Sequence, residues 1–164
     1  TTTVVFVVLT ALAAQCEIPI YPVPITLQTF FVFLAGGILQ RKAAVASMVL
    51  YVFAGAVGLP VFAGGSFGVA KLLGPSGGYL WSFPLAVAVI ATITEKRKNF
   101  GWMMFAMTIG SLIIFFCGTL QLNAVFFHDW NRSLQSGFFI FSVWDIVKLV
   151  AAASIATQYH KILR

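Results

Sequence analysis

Charge is the scarcest commodity in this sequence. Only 9% of its 164 residues are Asp, Glu, Lys or Arg, against about a quarter in an ordinary soluble domain. Acids are rarest: 4 Asp and Glu stand against 10 Lys and Arg. Glu17, Glu95 and Asp129 fall in loops, leaving Asp145 alone in an apolar segment. One buried carboxylate is poor equipment for acid–base catalysis, which usually pairs groups with separated pKa values. The nucleotide-binding pattern GxxxxGK[ST] is missing, as are HExxH and GxSxG, so P-loop hydrolysis, zincin chemistry and the nucleophile elbow are excluded. The two Cys, Cys16 and Cys117, lie far apart without metal spacing and read as buried thiols rather than a disulfide. His128 and His160 sit at opposite ends of the chain's expected topology, so no metal site is expected. There is no internal repeat. An enzyme is disfavoured, and no cofactor is called for.

What the sequence has in abundance is apolar surface. It is 60% hydrophobic, with 17 Phe and a mean hydropathy of +0.99. A soluble chain this short has too little interior for so many apolar side chains, so lipid is the natural solvent. Residues 1–164 read as one membrane-embedded domain. Thr1 in place of Met suggests that a preceding stretch is missing, and no cleavable signal pattern is visible.

Six apolar segments are expected to be helices: about Val4–Gln15, Leu27–Leu39, Ala43–Val57, Tyr79–Thr94, Phe100–Leu122 and Phe138–Thr157. Only the fifth and sixth approach the ~20 residues that span a bilayer comfortably. Strands are not expected, because period-2 alternation is missing and open sheet edges are forbidden in lipid. With six crossings, Arg41, Lys42, Lys96, Arg97, Lys98, Lys161 and Arg164 share one side, and only Lys71 and Arg132 the other. Seven against two is a positive-inside bias that puts both termini in the cytoplasm. The net charge of +6 therefore reports topology, not nucleic-acid binding. The tenth cation, Lys148, belongs to neither side.

The expected outer loops between helices 1 and 2 and between helices 3 and 4 are long and ordered. The first has Pro19, Pro22 and Pro24 within six residues, which stiffens it and forbids helix. The second holds seven Gly and two Pro from Gly58 to Gly78, yet keeps Leu59, Phe62, Phe67, Leu72 and Leu73. Such a loop packs back onto the helices, either as a lid over a small-molecule site or as a compact surface loop.

Within "FIFSVWDIVKLVAAASIA" (Phe139–Ala156), Asp145 and Lys148 are three residues apart and so share a helix face. A charge at mid-membrane costs about 3 kcal/mol on insertion scales. The pair reads as a polar ligand clamp, as a self-neutralising packing pair or, with no further acids in line, least well as a proton relay. Gln15, Gln28, Gln121 and Asn123 read as helix-to-helix hydrogen bonds. Tyr79, Trp81, Trp130 and Trp144 read as interfacial anchors or as an aromatic wall, with Trp144 the better wall candidate beside Asp145.

The stretches "VPITLQTFFVFLAG" (Val23–Gly36), "GLPVFAGG" (Gly58–Gly65), "GPSGGYLWSF" (Gly74–Phe83) and "DIVKLVAAA" (Asp145–Ala153) resemble, in order and over nearly the whole chain, the BioY family. These are the biotin-binding S components of energy-coupling-factor (ECF) transporters. The resemblance implies an all-α membrane protein of six transmembrane helices in a prokaryotic plasma membrane. It also implies biotin capture from outside, and assembly with a transmembrane coupling subunit and two ABC-type ATPases. The family's last motif is usually Pro-Gly-Asp-x-x-Lys; here Val143 and Trp144 replace Pro-Gly, which alters the wall beside the clamp. The family commonly has Thr at Ser76 and Gly at Ser82. Asp145 is then expected to accept a ureido N–H of biotin. Lys148 donates either to the ureido carbonyl or to the carboxylate, and Lys71 is a second candidate for the carboxylate. Tyr79 and Trp144 are placed on the rings, with Thr26 and Gln28 closing the site. By the same resemblance, Thr10, Ala11 and Ala14 form a smooth docking face for the coupling subunit; ordinary packing inside the bundle is the alternative. A membrane structural subunit, or a solitary transporter of another vitamin, remains the rival reading.

Overall fold

A computed structural model describes residues 2–139 and 142–163. Among them the chain forms eight α-helices: α1 (Thr2–Gln15), α2 (Gln28–Ile38), α3 (Arg41–Ala56), α4 (Val69–Leu73), α5 (Gly77–Thr94), α6 (Phe100–Leu122), α7 (Trp130–Gly137) and α8 (Ser142–Ile162). A 3-10 turn covers Ala63–Gly65, and a π turn, Asn123–Phe127, prolongs α6. Each of the six apolar segments holds a helix. The start of the sixth differs: Phe138 ends α7, and Ile140 and Phe141 lie outside the described residues.

Two helical stretches are long and apolar enough to cross a membrane, Gly77–Thr94 and Phe100–Phe127. α8 has 21 residues, the length expected of the last segment; it is not among these two stretches, since it carries Asp145 and Lys148 and ends in the polar run Gln158–Lys161. The other apolar span is α5, which continues through Pro84. α1 and α2 are shorter, at 14 and 11 residues.

Local chemistry sets the breaks. Asn99 precedes α6 and its side chain accepts from Trp102 N at 2.9 Å. Asp129 precedes α7 and accepts from Asn131 N at 2.8 Å. Both satisfy amides that a helix start leaves orphaned. The Pro-rich loop contains an element the sequence did not suggest. Glu17–Ile18 (β1) pairs antiparallel with Ile25–Thr26 (β2), and Leu27 N donates to Cys16 O at 3.1 Å. Pro19, Pro22 and Pro24 all lie between the paired residues, where no ladder donor is needed.

α5 lies against α6, α3 and α2, while α8 packs on α2 and α6, and α1 on α3 and α2. Ile90 of α5 sits in a close seam with both α2 and α6. A Cβ on Gly36 of α2 would come within 2.7 Å of its side chain, as would one on Gly110 of α6, so both helices approach only because those positions lack a side chain. Phe33, Met48, Tyr51, Phe83, Met103, Met107 and Ile114 fill the interior. Outward faces stay apolar: Val4, Val8 and Leu12 on α1, Leu85 on α5, Phe105, Leu112 and Phe116 on α6, and Ile146 and Val147 on α8 are exposed. An apolar surface this continuous suits lipid rather than water.

On α1, Thr10 and Ala14 are fully buried, and Ala11 is half-buried against the core. The short side chains on this side of α1 let α2 and α3 pack close to it. The Thr10 hydroxyl is spent on Phe6 O at 2.7 Å.

Candidate functional site

Side chains from α2, α5, α6 and α8 meet the two long loops around one cavity. Thr26 comes from β2, Gln28 and Thr29 from the first turn of α2, and Phe62 and Lys71 from the Gly-rich loop. Ser76, Tyr79 and Phe83 come from the start of α5, Phe115 from α6, and Asp145 and Lys148 from α8. The hairpin fixes Thr26 beside α8, and the break after it starts α2 with Gln28 and Thr29 directed to the same place.

Asp145 and Lys148 are 2% and 8% exposed, and Lys148 Nζ stands 2.7 Å from Asp145 Oδ1. The ammonium also donates to Thr29 Oγ1 at 2.7 Å and to Thr26 O at 3.0 Å. Its three N–H groups are thus all assigned. Thr29 in turn donates to Asp145 Oδ1 at 3.1 Å. The other carboxylate oxygen, Asp145 Oδ2, is buried and has no hydrogen-bond partner among the described residues. An unsatisfied buried acceptor costs about 1–3 kcal/mol, more when charged. A donor brought by a ligand would remove that cost.

The remaining walls are chiefly aromatic. Tyr79 turns its hydroxyl away, donating to Gly137 O at 2.7 Å, so its ring can form the wall. Phe62, Phe83 and Phe115 complete the apolar lining. Thr26 Oγ1 donates to Gln28 Oε1 at 2.8 Å, and Gln28 Nε2 donates to Tyr51 Oη. Lys71 is half-buried at the cavity and makes no side-chain hydrogen bond or ion pair among the described residues.

Of the candidate residues read from the sequence, Asp145, Lys148, Tyr79, Lys71, Thr26 and Gln28 share this cavity. Trp144 does not. It is 55% exposed and lines an open neighbouring recess with Gln15, Leu27 and Val147, which borders the cavity through Thr26 and Lys148; one position along a helix turns a side chain by ~100°, so it stands on another face than its neighbour Asp145. Thr29, Ser76, Phe62, Phe83 and Phe115 were not picked out as site residues. Thr29 and Ser76 lie inside the quoted motifs, but nothing in their spacing separates a lining hydroxyl from an ordinary helix-start residue. Of the polar side chains expected to join helices, Gln28 does so from α2 to α3, while Gln15 and Gln121 hold irregular backbone. Gln15 Nε2 donates to Phe62 O at 3.2 Å, Gln121 Nε2 to Leu72 O and Gly74 O at 2.8 Å, and Gln28 to Tyr51. Among the described residues, no three His, Cys, Asp or Glu come together as a metal would require.

The far end of the bundle is basic. Arg41, Lys42 and Lys98 line one recess there, and Lys96, Arg97, Lys98 and Lys161 another.

A family model described as the BioY family matches residues 1–164. The chain is 40% identical over 158 residues to a biotin transporter BioY of Thermotoga maritima, covering 96% of this chain and 93% of that one. It is 41% identical over 153 residues to a probable biotin transporter BioY of Pyrococcus horikoshii, covering 93% and 90%. A 2.1 Å crystal structure of the S-component for biotin from an ECF-type ABC transporter is similar with a TM-score of 0.91 at 27% identity, over 98% of this chain and 89% of that one.

Proposed function

The chain belongs to the BioY family, and on that premise we propose that it captures biotin as the S component of an ECF-type ABC transporter. One observation carries the assignment to this cavity: Asp145, which lines it, has a buried Oδ2 without a partner among the described residues. Biotin offers a ureido ring with two N–H donors and a carbonyl, an apolar thiophane ring and a valerate carboxylate. A ureido N–H donating to Asp145 Oδ2 supplies the missing bond.

Lys148 has its donors engaged, so it acts on the ligand through Asp145, fixing Oδ1 and leaving Oδ2 presented. That sets aside direct donation from Lys148 to either end of biotin. Lys71, with no side-chain partner among the described residues, takes the valerate carboxylate. Tyr79, Phe62, Phe83 and Phe115 enclose the rings, and Thr26 with Gln28 closes the hairpin side. A pair that served packing alone would not need one carboxylate oxygen left bare beside a cavity.

In the membrane, α1, α2, α3, α5, α6 and α8 are the six crossings, with both termini cytoplasmic. The basic end of the bundle is then the inner end, as the positive-inside rule requires, and the hairpin and Gly-rich loop face outside. This is a multi-pass protein of a prokaryotic cytoplasmic membrane, working with a transmembrane coupling subunit and two ABC ATPases. The test is a biotin titration of the detergent-purified chain with mass analysis for co-purified ligand: saturable binding lost in Asp145→Asn supports the reading, and no binding by the wild type overturns it.

A further inference from the structure

Tyr51 lies outside the cavity and inside the fold, fully buried on α3. Its hydroxyl is the junction of two loops. It accepts from Gln28 Nε2, whose Oε1 holds the Thr26 hydroxyl of the hairpin. It donates to Val61 O of the Gly-rich loop at 2.8 Å. Its ring meets Phe62 edge-on at 5.7 Å between centroids and stacks with Phe83 at 6.3 Å. Both of those rings line the cavity, as do Thr26 and Gln28. One buried phenol thus touches the backs of three cavity-lining side chains and bonds the residue before Phe62.

Resting on the biotin-capture reading above, we infer that Tyr51 is the positioning residue for the ligand lid. Its O–H to Val61 O bond holds residues 61–66 against α3 so that Phe62 stands in the cavity wall before biotin arrives. The loop has few other ties there. Gln15 reaches Phe62 O from α1, and Gly68 N reaches Gly55 O at 2.7 Å. Between these ties the backbone bonds itself, Gly65 N to Phe62 O at 3.1 Å and Ser66 N to Ala63 O at 3.3 Å, with Gly64 and Gly65 at positive φ. Such a turn depends on its anchors to keep its place. Loss of the Tyr51 hydroxyl leaves the half-buried Val61 carbonyl without this donor and the Gln28 amide without its acceptor, while every apolar contact of the ring remains.

Amide hydrogen exchange on the detergent-purified chain, without and with biotin, tests this in Tyr51→Phe and Gln28→Met. In Tyr51→Phe without biotin, the Gly65 and Ser66 amides exchange about tenfold faster, the size expected for one net hydrogen bond, and the Met107 amide of α6 is unchanged. The biotin dissociation rate rises about tenfold, with a smaller change in association. In Gln28→Met, which spares the Tyr51–Val61 bond, loop exchange stays at the wild-type rate while affinity falls through Thr26. Unchanged loop exchange in Tyr51→Phe overturns the inference, as does an equal rise in α6, which would mean general destabilisation. If the wild type binds no biotin, the capture reading fails while the exchange data taken without biotin still decide the role of Tyr51.

Discussion

Lys148 Nζ and Asp145 Oδ1 are 2.7 Å apart on one face of α8, and Thr29 of α2 bonds both. The pair is therefore part of a three-residue unit that ties α8 to α2 and leaves Asp145 Oδ2 without a hydrogen-bond partner among the described residues. Its two members have different duties, and substitutions should separate them.

Removing Lys148 strands a buried carboxylate. Breaking such a pair costs about 3–5 kcal/mol. Lys148→Ala should lower both the melting temperature and biotin affinity, whereas Asp145→Asn, which keeps the shape and one acceptor, should lower affinity with a smaller loss of stability. Thermal unfolding and titration on the two variants check the split.

Thr29→Val removes the hydroxyl that bridges Lys148 and Asp145 and keeps the side chain's volume. Loss of a hydrogen bond to a charged group is worth about 1.5–3 kcal/mol, so biotin should bind about ten- to a hundredfold more weakly. Calorimetric titration measures this directly; an unaltered Kd would detach Thr29 from the clamp.

Lys71→Gln should weaken biotin and spare an analogue whose carboxylate has been reduced to an alcohol. Equal losses for both ligands would move the carboxylate elsewhere. Competition titration against labelled biotin gives both numbers in one experiment.

Cys16 is exposed next to the hairpin and Cys117 is half-buried in α6. With the hairpin outside, a membrane-impermeant maleimide should label Cys16 in intact cells, and Cys16→Ser should abolish that labelling. Reaction only after cell lysis would invert the topology.

The helices were legible because most apolar runs are bounded by Pro, Gly or charge. "EKRK" separates α5 from α6, and Arg41 and Lys42 open α3. The hairpin was not, since two paired residues on each side give no periodicity. The charged pair announced itself by its cost in lipid, and i, i+3 spacing placed both members on one face. Spacing along one helix says nothing of Thr29, which reaches the pair from α2 across 116 positions from Asp145. Trp144 shows the opposite limit: adjacency to Asp145 in sequence put it on another face of α8. Thr10 and Ala14 are small residues four apart on α1, but smallness alone does not tell whether that face admits a neighbouring helix of the same chain or a partner.

The most direct measurement is isothermal titration of biotin into the purified wild-type chain and Asp145→Asn under identical conditions. One saturable site in the wild type and a loss of at least about a hundredfold in the variant, the scale of removing a charged partner from a buried hydrogen bond, is the predicted result. Equal affinities for the two proteins would contradict the assignment of Asp145 Oδ2 as the acceptor for biotin.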